Sequence, residues 1–143
     1  MEYGFAPHSN SERQSEDIAF DSFYPPLNIA EFADLYGIPA DLPDATVTHF
    51  VTLAMTRTAI ALNAWKTEQQ AVGETIAPAV EYKAAVYTAA KADLLREHIS
   101  IDRKADAENA ATQAAELVEH YEALHSRAIA NLMGEQSIGV YLI

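Results

Sequence analysis

The chain has 143 residues and contains no cysteine. It can therefore form neither a disulfide nor a zinc site built on thiolates. Its five glycines are isolated from one another, so no glycine-rich loop is available to cradle a phosphate group. No stretch approaches the roughly 18 consecutive apolar residues of a membrane-spanning helix, and no basic segment followed by an apolar one marks a secretory signal. We expect a soluble protein that stays in the compartment where it is made.

Positive charge is also scarce in this sequence. Nine lysines and arginines stand against 21 aspartates and glutamates, which gives a formal net charge of -12. Proteins that bind DNA gain affinity when clustered Lys and Arg release counterions from phosphates. The composition therefore predicts no specific nucleic-acid binding.

The composition divides the chain into three regions, which together are enough for one domain with one core. Residues 1–22 mix Ser, Asn, Gln and acids without a sustained period, which is typical of a flexible acidic arm. Residues 23–134 carry helical patterns, whereas residues 135–143 end in "SIGVYLI". These last seven residues are apolar, β-branched or aromatic at nearly every position, which favours an extended strand.

Start and stop signals within residues 23–134 predict one short helix followed by three long ones. Asn28, with Glu31 three residues later, forms a near capping box, and Gly37 is a stop signal. A second helix should begin after Asp44 and present one apolar stripe to the core. The positions of that stripe are Val47, Phe50, Val51, Ala54, Thr58, Ala61, Leu62 and Trp65.

Residues 79–133 contain neither Gly nor Pro, yet one helix of that length would be unusual. The stretch "HISIDRKAD" should break it, because Ile99 and Ile101 are β-branched while Ser100 and Asp102 prefer helix caps. The expected core positions are Val80, Ala84, Tyr87, Leu94, Leu95 and Ile99 in the third helix and Ala110, Ala114, Leu117, Tyr121, Leu124, Ala128 and Leu132 in the fourth. The prediction is an all-α fold, a small antiparallel helical bundle with an extended N-terminal arm and a C-terminal β-strand tail.

One sequence motif could carry metal chemistry. Glu122 and His125 match the Glu-x-x-His pattern of di-iron bundles, but such a site needs this motif twice and two further inward glutamates. His49, His98 and His120 are scattered without metal-ligand spacing. We therefore predict no catalytic, cofactor-binding or metal site and no enzyme, with a ferritin-like metal-binding bundle as the less favoured alternative.

Five stretches carry a resemblance to a known family. They are "FYPPL", "IAEFADLYG", the second helix with Trp65, "YKAAVYTAAKADLLREH" and "RAIANLMGEQSIGVYLI". From about Phe23 to Ile143 the chain thereby resembles the head completion, or head-to-tail connector, proteins of contractile-tailed bacteriophages. The resemblance implies a structural virion protein at the head-tail neck, assembled in the host cytoplasm. In such connectors a ring, twelvefold in related families, binds the portal protein after genome packaging, stabilises the filled head and receives a neck or tail terminator protein.

The C-terminal strand is the expected portal-binding segment. A lone apolar strand needs a partner for its backbone, and strand addition to a sheet edge of the portal protein would supply one. The residues of this segment are Ser137, Ile138, Gly139, Val140, Tyr141, Leu142 and Ile143. Two alternatives stay open, namely packing of the strand on its own bundle and pairing with "IAFDSF" earlier in the chain.

A closed ring requires contacts between two different faces of neighbouring copies. We expect Arg57 and Lys66 of one copy to face Glu116, Glu119 and Glu122 of the next, with weak self-association in isolation. Genomic DNA would pass through the ring without adhering, because carboxylates repel phosphates over a Debye length of about 8 Å. The alternative is a generic homo-oligomeric helical scaffold, or a small regulatory helical protein, whose terminal strand pairs only with copies of itself.

Overall fold

The computed structural model describes Arg13, residues 16–101 and residues 107–134. Within these residues, five helices and one small antiparallel sheet confirm the predicted helical bundle. The elements are β1 (Asp17–Ile18), β2 (Leu27–Asn28), α1 (Ile29–Tyr36), α2 (Asp44–Ala61), α3 (Asn63–Ala71), α4 (Ala79–Ile101) and α5 (Ala107–Met133). No helix in the described part of the chain is long and apolar enough to cross a bilayer.

The segment before α1 contacts the bundle. β1 pairs with β2 so that Ile18 faces Leu27, a pairing that the sequence patterns did not predict. Arg13 is buried and donates hydrogen bonds to the carbonyl oxygens of Pro39 at 2.6 Å and Leu42 at 2.9 Å. Residues 1–12, 14 and 15 of the predicted flexible arm and the whole predicted terminal strand lie outside the described residues.

Helix α1 begins and ends where the sequence predicted. The Asn28 side chain accepts hydrogen bonds from the backbone N–H groups of Ala30 at 2.9 Å and Glu31 at 3.1 Å. Gly37 closes the helix in the left-handed region, with φ of 63°. Glu31 does not reach back to the Asn28 N–H as a capping box would. Instead, the buried Tyr87 hydroxyl accepts from that N–H at 3.1 Å and donates to Glu31 at 2.7 Å, which ties α1 to α4.

The predicted second helix is divided into α2 and α3 by a single residue, Leu62. Hydrogen bonds continue across this break, from Leu62 N to the Thr58 oxygen at 3.0 Å and from Lys66 N to the Leu62 oxygen at 2.8 Å. Both Leu62 and Trp65 are thereby buried. Most of the predicted stripe is also buried, but Phe50 is half-buried and Ala61 is exposed, since it lies next to the break.

Helices α4 and α5 form a long hairpin, so two helices replace the single long one, as predicted. Helix α4 continues through Ile101, however, and therefore includes Ile99 and Ser100, which were expected to break it. Because α4 contacts α1 and α2 as well as α5, it is buried on several sides from Ala85 to Ala90. A helix of this kind has no single apolar stripe. The prediction of Val80 as a core residue was wrong, because Val80 lies in the first turn of α4, ahead of the buried part, and is 78% exposed.

Helix α5 packs mainly on α4, so its buried stripe is narrow. Leu132 and Ala128 are buried as predicted. Leu117 is exposed. The neighbouring Val118 is buried and takes the core position that was predicted for Leu117. Ile99 and Ala110 lie in the part of the hairpin whose side chains are not described.

Candidate functional site

An aromatic hub joins the segment before β2 to α3 and α4. It consists of Phe23 and Tyr24, from "FYPP", together with Trp65 and Tyr82. Phe23 packs edge-on against Trp65 with ring centroids 5.8 Å apart, and Tyr24 stacks on Tyr82 at 4.8 Å. The hub confirms Trp65 as a packing residue and gives "FYPP" a structural role.

Asp21 holds the hub segment in place. One carboxylate oxygen accepts hydrogen bonds from the N–H groups of Phe23 at 2.9 Å and Tyr24 at 3.0 Å, and the other accepts from Lys66 at 2.5 Å. Burial by itself would raise the pKa of Asp21, but the Lys66 and backbone hydrogen bonds lower it below its usual value. Burial, with the Asp21 charge nearby, raises the pKa of Tyr24 to about 12. Lys66, predicted to contact a neighbouring copy, is thus engaged within its own chain.

An ion network links α2, α4 and α5. Arg57 on α2 contacts one oxygen of Glu122 at 2.7 Å and lies 3.8 Å from Asp93. Arg96 contacts Asp93 at 2.6 Å and also pairs with the second Glu122 oxygen. Burial opposes ionisation of Glu122, but the hydrogen bonds from Arg96 and Arg57 lower its pKa. The structure therefore brings Arg57 and Glu122, predicted to meet across two copies, together within one chain.

The Glu-x-x-His motif is engaged in this network and in the core. Both Glu122 oxygens are bound by guanidinium groups, whereas His125 is buried and its Nδ1 donates to the Ala85 carbonyl oxygen at 2.7 Å. Burial lowers the pKa of His125 and outweighs that hydrogen bond, so the imidazole is neutral at physiological pH. Among the described residues, no group of three or more His, Asp or Glu is placed to hold a metal ion.

The described surface is strongly acidic because most of its cations are paired. Arg13, Arg57, Lys66, Lys83 and Arg96 each form an ion pair with a carboxylate. The other described carboxylates have no such pair and are exposed or nearly so. These are Glu16, Asp17, Asp34, Asp41, Glu68, Glu74, Glu81, Glu97, Glu116 and Glu119. Glu116 and Glu119, two of the predicted interface residues, are thus free to meet a partner.

An apolar groove opens where the chain leaves α5. We name it the α5-end groove, and its volume is about 380 Å³. The hub residues Phe23 and Trp65 contribute to its wall, while Ile76 and Met133 are partly exposed at it. The full lining is Phe23, Trp65, Gln69, Glu74, Ile76, Pro78, Leu132, Met133 and Gly134. Gly134, which follows α5 with φ of 76°, is itself a lining residue of the groove.

A second groove, of about 250 Å³, is lined in part by the hub residue Tyr24. Its lining includes the exposed Phe20 and Ile60 together with the buried Tyr24 and the Lys66 side chain. Neither groove was predicted. Two features of the sequence could have indicated them. Ile60 lies off the predicted stripe of α2, and Ile76 is an apolar residue in the connection between Gly73 and Pro78.

The predicted portal-binding strand, Ser137 to Ile143, lies outside the described residues. Gly134 is the last residue that the structure describes before it. The portal-binding role of the strand stays a prediction.

The comparisons with known proteins agree with the resemblance noted in the sequence. A scan of protein-family models matches residues 18–143 to the family described as Phage head completion protein (GPL). The match therefore spans every described element from Ile18 in β1 onward, and also the predicted terminal strand. Searches of curated proteins and of solved structures found no match to this chain.

Proposed function

The chain belongs to the phage head completion protein family, and from this premise we propose that it is a head-to-tail connector subunit that binds the portal protein. A structural role in the phage head follows from the family. The proposal adds that copies assemble as a ring on the portal vertex after genome packaging. The ring stabilises the filled head and presents a docking platform for a neck or tail terminator protein.

The observation that carries this proposal is the extent of the family match, which runs through the last residue, Ile143. The segment predicted as an apolar strand thus lies within the range of the match. A strand of this composition needs a hydrogen-bonding partner. Strand addition to an exposed sheet edge of the portal protein satisfies the backbone, while alternate side chains fill pockets there.

Contacts between copies would use the acidic surface. We propose that Glu116 and Glu119 of one copy approach Arg57 and Lys66 of the next. The Arg57 side chain keeps 41% of its surface exposed and Lys66 keeps 24%, so each can accept a second carboxylate without losing its internal partner. Glu122 is engaged on both oxygens and would contribute to such a contact only by exchanging a guanidinium. Twelve copies would match the related connectors.

The acidic surface also suits a ring around DNA. Unpaired carboxylates repel phosphates over about 8 Å at physiological salt, so genomic DNA can pass without adhering. Most described cations are paired within the subunit and offer little attraction in return.

The test compares three variants for co-sedimentation with the purified portal complex. Deletion of Ser137 to Ile143 should abolish attachment and leave the helical circular dichroism unchanged. Val140→Pro should weaken attachment strongly, since it removes a backbone donor from the middle of the strand. Ser137→Pro is the matched control, because proline is tolerated at the first residue of a strand.

Two results would contradict the proposal. Undiminished attachment of the truncated chain would remove the strand from the portal interface. Loss of helicity on truncation would make the strand part of the core.

A generic homo-oligomeric scaffold is the second candidate, and the exposed Leu53 and Ile60 on α2 favour it. Such a protein would self-associate through its terminal strand but would not co-sediment with the portal complex.

A further inference from the structure

We propose that the α5-end groove is the docking site of the chain's own residues 135–143 in the unassembled subunit. Exposed apolar residues lie at the groove, where Ile76 and Met133 line it. Ile76 is 58% exposed, and it lies on the α3–α4 connection between two further exposed residues, Val72 and Val80. Exposed apolar patches of this kind mark interaction sites.

The groove has the size and chemistry for apolar side chains. Its volume of about 380 Å³ is more than twice the roughly 150 Å³ of a protein cavity that holds a benzene molecule. Ile76, Pro78 and Leu132 supply apolar walls, and Glu74 is its one charged lining residue. A segment with uncharged side chains therefore fits it better than an acidic one.

The chain supplies such a segment at the groove itself. Gly134 is a lining residue, and nine residues follow it in the sequence. Extended, they span at most about 30 Å, which is ample to cross the groove. After Glu135 this segment carries no charged side chain, and it ends in the apolar "SIGVYLI".

Attachment at Gly134 favours the chain's own segment over that of a second copy. A short flexible connection gives an effective concentration in the millimolar range. A free subunit at micromolar concentration therefore fills its groove from within before another copy can reach it. Docking also removes from water the apolar strand that would otherwise be open to aggregation.

The consequence for assembly rests on the proposed function. A strand that lies in its own groove cannot add to the portal sheet at the same time. Portal attachment would then withdraw the strand and open the groove, with Trp65 in its wall. A subunit could hold the strand either in its own groove or on the portal protein, but not in both places at once.

The absence of cysteine and the single tryptophan allow a direct test on the free subunit without the portal protein. Ile143→Cys is labelled with a nitroxide, and quenching of Trp65 fluorescence reports its distance from the groove. Docking predicts strong quenching that is independent of protein concentration. Adding Ile76→Asp should reduce the quenching several-fold. The matched control is Ile60→Asp, which changes an exposed isoleucine away from this groove and should leave the quenching unchanged.

Equal quenching with and without Ile76→Asp would overturn the proposal. Quenching that grows with protein concentration would also overturn it, because the strand would then come from a second copy. Circular dichroism of both Asp variants verifies that they fold. Since no portal is present, failure here is distinct from failure of portal attachment.

Discussion

At the scale of single residues, Glu122 illustrates how a motif gains its meaning from its neighbours. In the sequence, Glu122 lies three residues before His125, a spacing that resembles half of a di-iron site. The same residue was also predicted to lie at an interface between copies. The fold instead places Arg57 and Arg96 at its two oxygens. This ion network ties α5 to α2 and α4, so its first effect is on stability.

Glu122→Gln should lower the free energy of unfolding at neutral pH by about 1 kcal/mol, a modest value because both arginines are partly exposed. The folded-state pKa of Glu122 is below its usual value, so its contribution is present above the unfolded pKa and is lost as pH falls through the folded pKa. Urea denaturation at neutral and strongly acidic pH measures this difference. The difference in the free energy of unfolding between the variant and the unchanged protein should vanish at strongly acidic pH.

Glu119→Gln is the matched control, since Glu119 is exposed on the same helix and has no ion pair. Its effect on unfolding should be small at either pH. A Glu122→Gln effect that persists at low pH would mean that packing, and not charge, explains the loss.

At the scale of elements, one hydroxyl group of α4 contributes to the contact with α1. Tyr87 bridges the Asn28 N–H and the Glu31 carboxylate, and Lys83 contacts the same carboxylate at 3.1 Å. The bridge completes the cap of α1 from another helix. It should therefore fix the position of α1 as well as its start.

Tyr87→Phe should destabilise the protein by roughly 1–3 kcal/mol, because the part-buried Asn28 N–H and the Glu31 carboxylate each lose a partner. Tyr36→Phe is the control from the same aromatic cluster, whose ring lies 5.9 Å from that of Tyr87. The structure assigns no hydrogen bond to the Tyr36 hydroxyl, so its removal should change stability by less than about 0.5 kcal/mol. Equal losses in the two variants, measured by chemical denaturation, would contradict the bridge.

The elements also show which structural features could be predicted from sequence patterns and which could not. The cap at Asn28, the stop at Gly37 and the division of residues 79–133 into two helices depend on local chemistry, and each was predicted. The Tyr87 bridge joins residues 59 positions apart, and no local pattern records it. The interruption at Leu62 lacks a glycine or proline signal, and Val80 was misplaced because it lies in the first turn of α4, ahead of the buried part.

The same distinction between local chemistry and long-range contacts applies to the candidate site. Apolar character alone led to the prediction of a terminal binding strand, which lies outside the described residues. The internal pairing of Arg57 with Glu122 and of Lys66 with Asp21 depends on which helices become neighbours. The α5-end groove likewise forms only when the hub, the α3–α4 connection and the end of α5 meet.

At the scale of the whole molecule, charge is distributed unevenly between paired and unpaired groups. Most described cations are held in ion pairs, while the acidic surface keeps many carboxylates without a partner, in a chain of net charge -12. Net charge of this size destabilises the compact state by self-repulsion.

Added salt should therefore stabilise the free subunit. Screening that relieves about 1 kcal/mol of repulsion would raise the melting temperature by about 3 °C for a domain of this size. Thermal denaturation followed by circular dichroism at low and high sodium chloride measures the shift. The double variant Glu116→Gln/Glu119→Gln should show a smaller shift, and a melting temperature that falls with salt would mean that the ion pairs dominate.

The left-handed backbone at Gly134 has a consequence for where the end of the chain is delivered. With φ of 76°, this position suits glycine, yet an added Cβ would meet no atom within 4 Å. An alanine would thus meet no other atom there and would be strained only through its backbone. This dihedral angle sets the direction in which the chain leaves α5. We therefore expect a substitution at Gly134 to redirect the final nine residues while the described helices stay intact.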